Sequence, residues 1–371
     1  MPVKVFYVIS DIQKALTFEW FALGIDRQQV ELHFILVGKS KTPFITFLEE
    51  ASIPHYVVAF DGKGDALLAW IRVFSILLKN KPDVVHTHLY YANLIGLTAA
   101  WCLRIKKRIY TRHHASIHHL YFPKSVFLDK IINFLSTDII ALCENLKEIL
   151  IKWEGVREKK IHLIPHGFDL DYFEQTDSIK INSVRTRHNI PETYPVIGAV
   201  ARLTKWKGVQ FTIEAFRELL VTYPKAHLVL ANATGDYERE IKMQLSKLPD
   251  KSYTLILFET ESASMYRLFD LYVHVPIDAY CEAFGQTYVE ALAVGVPSIF
   301  TLSGIGCDFI EHRKNAMVVS YENSVEIKES MILLLQDTFL RQRLIQEGRH
   351  SVIQKFAIGN VLQKLQSLYR L

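Results

Sequence analysis

The sequence has no apolar run of the length needed to cross a membrane, and its charges almost cancel. It contains 43 lysine and arginine residues against 39 aspartate and glutamate residues in a chain of 371. A membrane-spanning helix needs about 20 mostly apolar residues, and a nucleic-acid-binding protein carries a strongly basic face. The composition therefore argues against an integral membrane protein and a nucleic-acid binder, and indicates a cytoplasmic protein.

Cysteine is scarce, and a signal peptide is not recognisable. The four cysteines have neither metal-site nor disulfide-framework spacing. Cys102 and Cys143 lie in apolar runs, which predicts buried thiols in a reducing compartment. The segment Met1–Ser10 is too short for the apolar region of a signal peptide and predicts a buried strand.

The densest basic cluster comprises Arg104, Lys106, Lys107 and Arg108. Such a cluster is usually a solvated loop. The alternative interpretation is contact with an anionic membrane surface, which would make the protein peripheral at the inner face of the membrane.

Short apolar runs alternate with segments of helical period along the chain. The helical segments include Leu67–Leu78, Phe211–Leu220 and Tyr237–Leu245. The predicted strands are Val3–Ile9, Leu32–Val37, Tyr56–Phe60, Val84–His86, Arg108–Thr111, Ile139–Leu142, Ile161–Ile164, Val196–Val200, His227–Ala231, Thr254–Phe258, Leu271–Val275, Ser298–Phe300 and Met317–Val319. These are too many for one ordinary open sheet, and their alternation with helices is typical of parallel sheets covered on both faces. We therefore predict an α/β protein with two Rossmann-like doubly wound lobes and a ligand-binding cleft between them.

The boundary between the lobes is expected where the pattern is lost. Residues 169–190 are polar and lack a clear period, and two prolines then precede a new strand. The predicted N-terminal lobe is 1–175 and the predicted C-terminal lobe is 176–351. The tail 352–371 is an amphipathic helix that is expected to cross back onto the first lobe.

The most informative motif is a pair of glutamates, Glu282 and Glu290, on either side of a predicted helix start. Gly295 and Pro297 end that helix. Because a helix N-terminus is an anion site, carboxylates around it suit a ligand with hydroxyl groups at both ends and phosphate in the middle. A nucleotide sugar has this arrangement of hydroxyl and phosphate groups. Two ordinary glutamates on a solvated helix are the simpler alternative.

A second motif places cations after a strand. Arg202, Lys207 and Gly208 follow the predicted strand Val196–Val200, at the sheet edge where such folds bind ligands. Two cations and a glycine at this place suit a diphosphate. A charged surface loop is the alternative.

Histidines follow a strand of the first half. His113 and His114 come directly after Arg108–Thr111, and His118 and His119 follow soon after. The cluster is reminiscent of a metal site, but it has no HExxH pattern and no acidic ligand close by in sequence. We therefore predict no metal, with a metal site as the minority alternative, and we interpret His118 and His119 as ordinary surface residues.

Together these motifs resemble the retaining glycosyltransferases of family 4, which have two Rossmann-like lobes in the GT-B architecture. The family's Glu-x7-Glu motif matches Glu282 to Glu290, and its Arg and Lys-Gly match Arg202 and Lys207-Gly208. A family turn matches Pro165-His166-Gly167-Phe168-Asp169. The match covers nearly the whole chain, and it is more specific in the second half than in the first.

The resemblance implies roles for the matched residues. The implied catalytic residues are Glu282, which binds hydroxyls of the donor sugar, His113, which lies near the transferred sugar, and Arg202 and Lys207, which hold the donor diphosphate. The implied substrate-binding residues are Glu290 on the ribose hydroxyls and the backbone of Phe284, Gly285, Gln286 and Thr287. The chain departs from the family in the loop after its first strand, Ser10–Lys14, which lacks the usual glycines.

The resemblance further implies the activity. A sugar would pass from a UDP- or GDP-linked donor to a hydroxyl of a glycan or lipid-linked acceptor, with retention at the anomeric carbon and without a metal or other cofactor. Surface polysaccharide or glycan biosynthesis is the role typical of the family. Two alternatives stay open: a sugar-nucleotide epimerase of the same architecture, and a catalytically silent nucleotide-sugar-binding protein.

Overall fold

A computed structural model describes residues 1–175 and 177–370. Each predicted apolar run forms a strand. The strands are β1 (Val3–Ser10), β2 (Val30–Gly38), β3 (His55–Ala59), β4 (Val84–His88), β5 (Lys107–Thr111), β6 (Asp138–Ala141), β7 (Ile161–Leu163), β8 (Val196–Val200), β9 (His227–Ala231), β10 (Tyr253–Ile256), β11 (Leu271–His274), β12 (Ser298–Phe300) and β13 (Met317–Val318).

Helices connect these strands. The α-helices are α1 (Leu16–Gly24), α2 (Pro43–Glu50), α3 (Ala66–Asn80), α4 (Tyr90–Cys102), α5 (Ile117–Tyr121), α6 (Ser125–Leu135), α7 (Glu144–Glu148), α8 (Asp171–Glu174), α9 (Ser178–Arg187), α10 (Val209–Thr222), α11 (Glu238–Leu245), α12 (Ser262–Tyr266), α13 (Gln286–Val294), α14 (Gly306–Phe309), α15 (Ser324–Gln336), α16 (Thr338–Phe356) and α17 (Ile358–Arg370). In the part of the chain that the structure describes, no helix has both the length and the apolar character of a membrane span.

The chain divides into two compact units. The first unit is Met1–Phe168 with Phe356–Leu371, and the second is Asp169–Lys355. The segment 169–190, which was expected to be irregular, contains α9. The Asp177 side chain caps this helix by accepting a hydrogen bond from the Lys180 backbone N–H, and such a cap can start a helix that has little apolar periodicity.

The first unit contains a seven-stranded parallel sheet in the order β3-β2-β1-β4-β5-β6-β7. The direction of winding reverses between β1 and β4, which pair in parallel. In sheets of this kind, ligands bind at the carboxyl ends of the strands, beside the point of reversal. β4 is buried along its whole length, as expected of a central strand covered on both faces.

The C-terminal helix α17 belongs to the first unit and packs against α1 and β1. The expected helix over 352–371 is divided between α16 and α17. Between them the chain pairs with Phe168, whose N–H donates to the Phe356 carbonyl and whose carbonyl accepts from the Ile358 N–H. The tail is therefore held to the first unit by backbone hydrogen bonds and by its apolar face.

The second unit contains a six-stranded parallel sheet in the order β10-β9-β8-β11-β12-β13, which reverses between β8 and β11. Its core includes Ile213, Phe216 and Leu219 of α10 packed on strand residues such as Leu228 and Leu230. The apolar positions of α10 recur at helical spacing, which explains why this segment was recognisable from sequence.

One cysteine prediction was wrong. Cys143 is buried, but Cys102 is exposed at the end of α4. An apolar run that forms a helix on a sheet still turns one face to solvent, and the sequence does not mark which residue of the last turn lies on that face.

Candidate functional site

The candidate site in the second unit is built from the two strands that flank the reversal of the sheet. The chain leaves β8 towards Arg202 and Lys207, and it leaves β11 towards Glu282. The carboxyl ends of both strands meet at the same edge of the sheet because the strands are parallel. Residues 75 positions apart in sequence, Lys207 and Glu282, are thereby brought into contact.

Gly208 fixes the position of the Lys207 loop. Its φ is +71°, and a Cβ atom at this position would lie 1.7 Å from the Val275 carbonyl oxygen. The Ile277 N–H also donates to the Trp206 carbonyl at 3.1 Å. Only glycine allows the loop this conformation and this close approach, so the end of β11 holds Lys207 in place.

Lys207, Glu282 and His274 form a compact group. Lys207 Nζ donates to Glu282 Oε1 at 2.5 Å, and His274 Nε2 lies 3.1 Å from the same oxygen. Because a carboxylate only accepts, the Nε2 atom of His274 carries the hydrogen. The Glu282 backbone N–H donates to Ser303 Oγ at 3.1 Å. The carboxylate is therefore held at both its side chain and its backbone.

The charge of Glu282 is maintained by these neighbours. Burial acts to raise the pKa of the Glu282 carboxyl, but the charge of Lys207 and the hydrogen bond from His274 outweigh it and hold that pKa well below its usual range. Burial lowers the pKa of His274, and Glu282 only partly opposes this effect. At neutral pH the group is thus an ammonium–carboxylate pair supported by a neutral imidazole.

Helix α13 begins beside this pair. Gly285 precedes it in the left-handed region, with φ +86°, and Gln286 and Thr287 are its first two residues, both half-buried. Phe284 is buried, and its carbonyl accepts from the Ile305 N–H at 2.8 Å. The first turn of an α-helix presents N–H groups that have no acceptor within the helix, so α13 directs a positive dipole end to this place.

Glu290 lies on α13 and has a different partner. The Tyr266 hydroxyl donates to Glu290 Oε2 at 2.9 Å. Burial raises the pKa of the Glu290 carboxyl, and the bond from Tyr266 partly offsets this rise. No lysine or arginine among the described residues forms an ion pair with Glu290, so its carboxylate remains able to accept hydroxyl groups of a ligand.

Arg202 is exposed, and its guanidinium group makes neither a hydrogen bond nor an ion pair with any residue that the structure describes. This cationic side chain is therefore available to an anionic ligand. Of the residues predicted from sequence, Lys207 and Glu282 are in direct contact, while Glu290 and Arg202 have separate environments.

His113, the remaining predicted catalytic residue, lies in the first unit at the carboxyl end of β5. Its Nε2 is 3.0 Å from Nδ1 of His88 on β4, and its ring stacks on that of His166 with centroids 5.6 Å apart. Burial lowers the pKa of His113, His88 and His166, to about 4 for His166. The group is therefore a set of neutral imidazoles.

A separate hydrogen-bonded group lies beside these histidines, with the ring centroids of His86 and His88 4.2 Å apart. His86 Nε2 lies 2.9 Å from Thr111 Oγ1, and His86 Nδ1 lies 2.8 Å from the Tyr369 hydroxyl. That hydroxyl is 2.6 Å from the Tyr7 hydroxyl. The two tyrosines and His86 join β1, β4 and α17, and burial lowers the pKa of His86 to about 3.

The prediction that His118 and His119 are surface residues was wrong. His118 Nδ1 lies 2.7 Å from Asp129 Oδ2, and His119 Nε2 lies 3.1 Å from Glu154 Oε1. The cluster has no acidic ligand close by in sequence, but the fold supplies one, because Asp129 on α6 faces His114 and His118. This contact was not predicted because Asp129 lies 11 positions after His118, beyond the turn between α5 and α6.

The first unit also carries an apolar surface, here called the α5–α6 surface and defined by Leu120, Tyr121, Phe122, Lys124, Phe127, Lys130 and Phe134. All seven residues are exposed, and Phe134 retains 74% of its accessible area. Between Val84 and Thr137 the only acidic residue is Asp129, which is buried. The surface thus combines aromatic side chains and lysines without a carboxylate from this stretch.

Sequence reasoning missed several residues of these groups. His274 stands at the end of β11, eight positions before Glu282, and no motif marks it. Tyr266, which bonds Glu290, lies on α12 and is 24 positions away in sequence. Neither contact follows from a local period.

Two family models match the chain. Residues 21–172 match the model described as Glycosyltransferase Family 4, and residues 180–351 match the model described as Glycosyl transferases group 1. The two matches together cover most of both units.

Similar proteins cover nearly the whole chain. The capsular polysaccharide biosynthesis glycosyltransferase CapM of Staphylococcus aureus is 26% identical over 379 residues, which are 92% of this chain and 97% of CapM. The UDP-Gal:alpha-D-GlcNAc-diphosphoundecaprenol alpha-1,3-galactosyltransferase of Escherichia coli is 21% identical over 99% of this chain and 95% of its own. The crystal structure of Anabaena HepE in complex with UDP-glucose matches with a TM-score of 0.85 and 20% identity, over 99% of this chain and 100% of HepE.

Proposed function

Because this chain belongs to the group 1 and family 4 glycosyltransferases, we propose that it transfers a sugar from a nucleotide diphosphate sugar to an acceptor hydroxyl, at the site around Lys207 and Glu282. The buried Lys207–Glu282–His274 group at the reversal point of the second sheet is the observation that carries this proposal. The group supplies a fixed cation for phosphate, Lys207, and a fixed carboxylate for sugar hydroxyls, Glu282, in direct contact with each other.

Each part of the donor has a suitable group in the second unit. Lys207 and Arg202 bind the diphosphate, and the N-terminal turn of α13 at Gly285, Gln286 and Thr287 adds N–H groups and a favourable dipole. Glu282 accepts hydroxyls of the donor sugar, and Glu290 accepts hydroxyls of the ribose. Phe284 is buried and holds the turn before α13 in position. The relatives named for UDP-linked sugars favour a UDP-linked donor over a GDP-linked one.

The proposed step proceeds with retention. The bond between the anomeric carbon and the leaving phosphate oxygen breaks, and the acceptor oxygen forms its bond on the same face of the sugar. The acceptor proton passes to the leaving phosphate oxygen. Lys207, Arg202 and the α13 N-terminus stabilise the diphosphate that develops, so no metal ion is needed at the diphosphate. His113, as a neutral imidazole of the first unit, can donate one hydrogen bond.

The acceptor is proposed to be a lipid-linked glycan intermediate of a surface polysaccharide. The names of CapM and of the Escherichia coli galactosyltransferase support this class. We further propose that the α5–α6 surface docks on an anionic bilayer. Exposed aromatic side chains insert at the headgroup level, and Lys124 and Lys130 attract acidic lipids.

Donor binding is tested by thermal shift with UDP- and GDP-linked sugars. A ligand that binds only the folded protein raises its melting temperature, by an amount that grows with concentration over Kd. We expect one donor class to stabilise the wild type and Lys205→Ala, whose lysine is exposed in the same loop, but not Lys207→Ala. If the donor raised the melting temperature of both variants equally, Lys207 would not take part in donor binding.

Transfer is tested separately with the donor that binds. Release of the nucleoside diphosphate that requires an acceptor supports the transferase, whereas conversion of donor sugar without acceptor indicates an epimerase and binding without release indicates a silent protein. NMR of the product gives the anomer, and inversion would contradict the proposed same-face step. Added Mg²⁺ is expected to change the rate by less than about twofold, since the charge of the leaving group is already compensated.

Membrane docking is tested by sedimentation with phosphatidylglycerol vesicles. Phe127→Ser and Phe134→Ser together should weaken binding by about 10-fold or more, because each removes a large apolar side chain from the proposed surface. Phe339→Ser is the matched control, since Phe339 is exposed in the second unit. Docking through this surface would be refuted if Phe339→Ser weakened vesicle binding equally, or if the protein bound uncharged and anionic vesicles equally well.

A further inference from the structure

A compact group of metal-ligating side chains lies in the first unit, outside the donor site. It consists of His114, His118 and Asp129, whose ligand atoms all lie within 4.8 Å of one another. His114 Nε2 is 3.3 Å from the Asp129 carboxylate, and His118 Nδ1 is 2.7 Å from it. The proposed transfer reaction uses none of the three residues.

The Asp129 carboxylate is incompletely satisfied. Its side chain is completely buried, yet Oδ1 makes no hydrogen bond with any residue of the described chain. Arg112 stands 3.3 Å away, at ion-pair distance without hydrogen-bond geometry to Oδ1. A buried carboxylate oxygen without a hydrogen bond is costly, which points to a further cation at this place.

Arg112 does not supply that cation in full, because it is shared with a second carboxylate. Arg112 Nη2 lies 2.5 Å from Glu154 Oε1, closer than to either oxygen of Asp129. Glu154 also accepts from Asn133 Nδ2 at 2.7 Å. The buried group therefore sets two carboxylates against one guanidinium.

We propose that His114, His118 and Asp129 bind one Zn²⁺ ion. Two imidazoles and one carboxylate are a typical zinc ligand set that leaves the fourth position to water, and the His-x3-His spacing brings both histidines to one side of the turn into α5. Imidazole with one carboxylate favours zinc over Mg²⁺ or Ca²⁺, which prefer all-oxygen sites.

The surrounding residues would orient the ligands. Arg112 Nε donates to the His114 carbonyl at 3.0 Å, which fixes the backbone of one ligand. The same guanidinium lies against Asp129 and Glu154, so it positions the carboxylate from behind. Outer groups of this kind commonly tune metal affinity.

The role of the metal would be to fasten the loop after β5. His114 and His118 belong to the segment between β5 and α6, and Asp129 belongs to α6. The ion would join the two ends of that segment, which also carries His113. This site is independent of donor binding in the second unit, and its failure would leave the proposed transfer untouched.

The test uses the full chain freed of purification tags and stripped of metal by dialysis against a chelator. Titration with Co²⁺ is expected to produce the visible absorption of a tetrahedral site at one ion per chain, and Zn²⁺ should displace it. Zn²⁺ should also raise the melting temperature. His118→Gln, which removes a partly exposed ligand and leaves Arg112 with both carboxylates, should weaken binding by about 100-fold or more.

His350→Gln is the control, because His350 is exposed in the second unit; it should bind Co²⁺ as the wild type does. Circular dichroism and the donor thermal shift of His118→Gln establish that this variant is folded. If the wild type binds neither Co²⁺ nor Zn²⁺ at 100-fold excess, or if His118→Gln binds them equally, the site is refuted.

Discussion

Both units place their polar groups at the carboxyl ends of the strands where the sheet reverses, but the two groups differ in charge. In the second unit, Lys207 and Glu282 form an ionised pair at the ends of β8 and β11. In the first unit, His86 and His88 at the end of β4 are neutral and contact Tyr7 of β1. The same topology therefore offers a charged site for a phosphorylated ligand in one unit and an uncharged hydrogen-bonding site in the other.

The difference follows from the local partners. Glu282 stays ionised because a lysine lies within 2.5 Å, and this offsets the cost of burying the carboxylate. His88 has another imidazole as its hydrogen-bond partner and aromatic rings of Tyr7 and Phe18 around it. Without a carboxylate partner, burial favours the neutral form.

The largest expected effect comes from removing the cation of the charged site. Lys207→Ala should lower kcat/KM for transfer by about 100- to 1000-fold, because the leaving diphosphate loses a fixed positive charge. Steady-state kinetics with the donor identified by binding measure this effect. Lys205→Ala in the same loop should stay within about threefold of wild type, and near-normal rates in Lys207→Ala would show that the charged group is structural.

The next effect concerns how that cation is held. Gly208→Ala should lower the free energy of unfolding by about 3 kcal/mol, because the new Cβ would meet the Val275 carbonyl at 1.7 Å in a left-handed conformation. Gly64→Ala is the matched control in the first unit, where no atom lies within 4 Å of the added Cβ. Urea unfolding of both variants measures the difference, and equal stabilities would mean that the Lys207 loop does not depend on the glycine.

Mild acid is expected to destabilise the first unit more than the second. His86 has a pKa of about 3 in the folded protein and about 6.5 in the unfolded chain. Below pH 6.5 the unfolded chain takes up a proton that the folded one does not, so stability falls as the pH falls. Between pH 6.5 and 5 this amounts to about 1.6 kcal/mol for His86 alone. The Glu282 pair is lost only below the ordinary pKa of a glutamate, about 4.3.

Hydrogen exchange at pH 7 and pH 5, corrected for intrinsic rates, measures this difference in the full chain. Strand β4 should lose protection earlier than β8, which lies next to the ionised pair in its own sheet. His227 and His274 have lowered pKa values in the second unit, so that unit is expected to respond less but not to be inert. An equal loss of protection in β4 and β8 between pH 7 and pH 5 would contradict the predicted difference in acid sensitivity.

The regular part of this fold was predictable from sequence, and the reason is visible in the sheets. Buried parallel strands are short apolar runs, and each run that was recognised forms a strand. The sequence also placed Lys207 at the sheet edge where ligands bind, but its direct contact with Glu282 was not predicted. By contrast, α9 depends on the single cap Asp177, and the exposure of Cys102 depends on which face α4 turns to solvent.

The histidines show where sequence reasoning failed. The role of a histidine depends on a partner that is distant in the chain, such as Asp129 for His114 and His118 or Tyr369 for His86. No period or spacing marks such pairs. The neutral group of the first unit was therefore largely invisible from sequence, whereas the charged group of the second unit was anticipated from its motif.

The smallest expected effect sharpens the contrast within the second unit itself. Among the residues that the structure describes, Glu290, unlike Glu282, has no lysine or arginine ion-pair partner, and the Tyr266 hydroxyl is its side-chain hydrogen-bond donor. Glu290→Gln keeps the shape and one acceptor oxygen but loses the charge, so KM for the donor should rise by about 10-fold while kcat changes little. Tyr266→Phe is the control for the protein side of this bond, and it should alter stability more than KM. If Glu290→Gln lowers kcat as strongly as Lys207→Ala does, Glu290 acts on the reacting end of the donor, and its proposed place at the ribose is wrong.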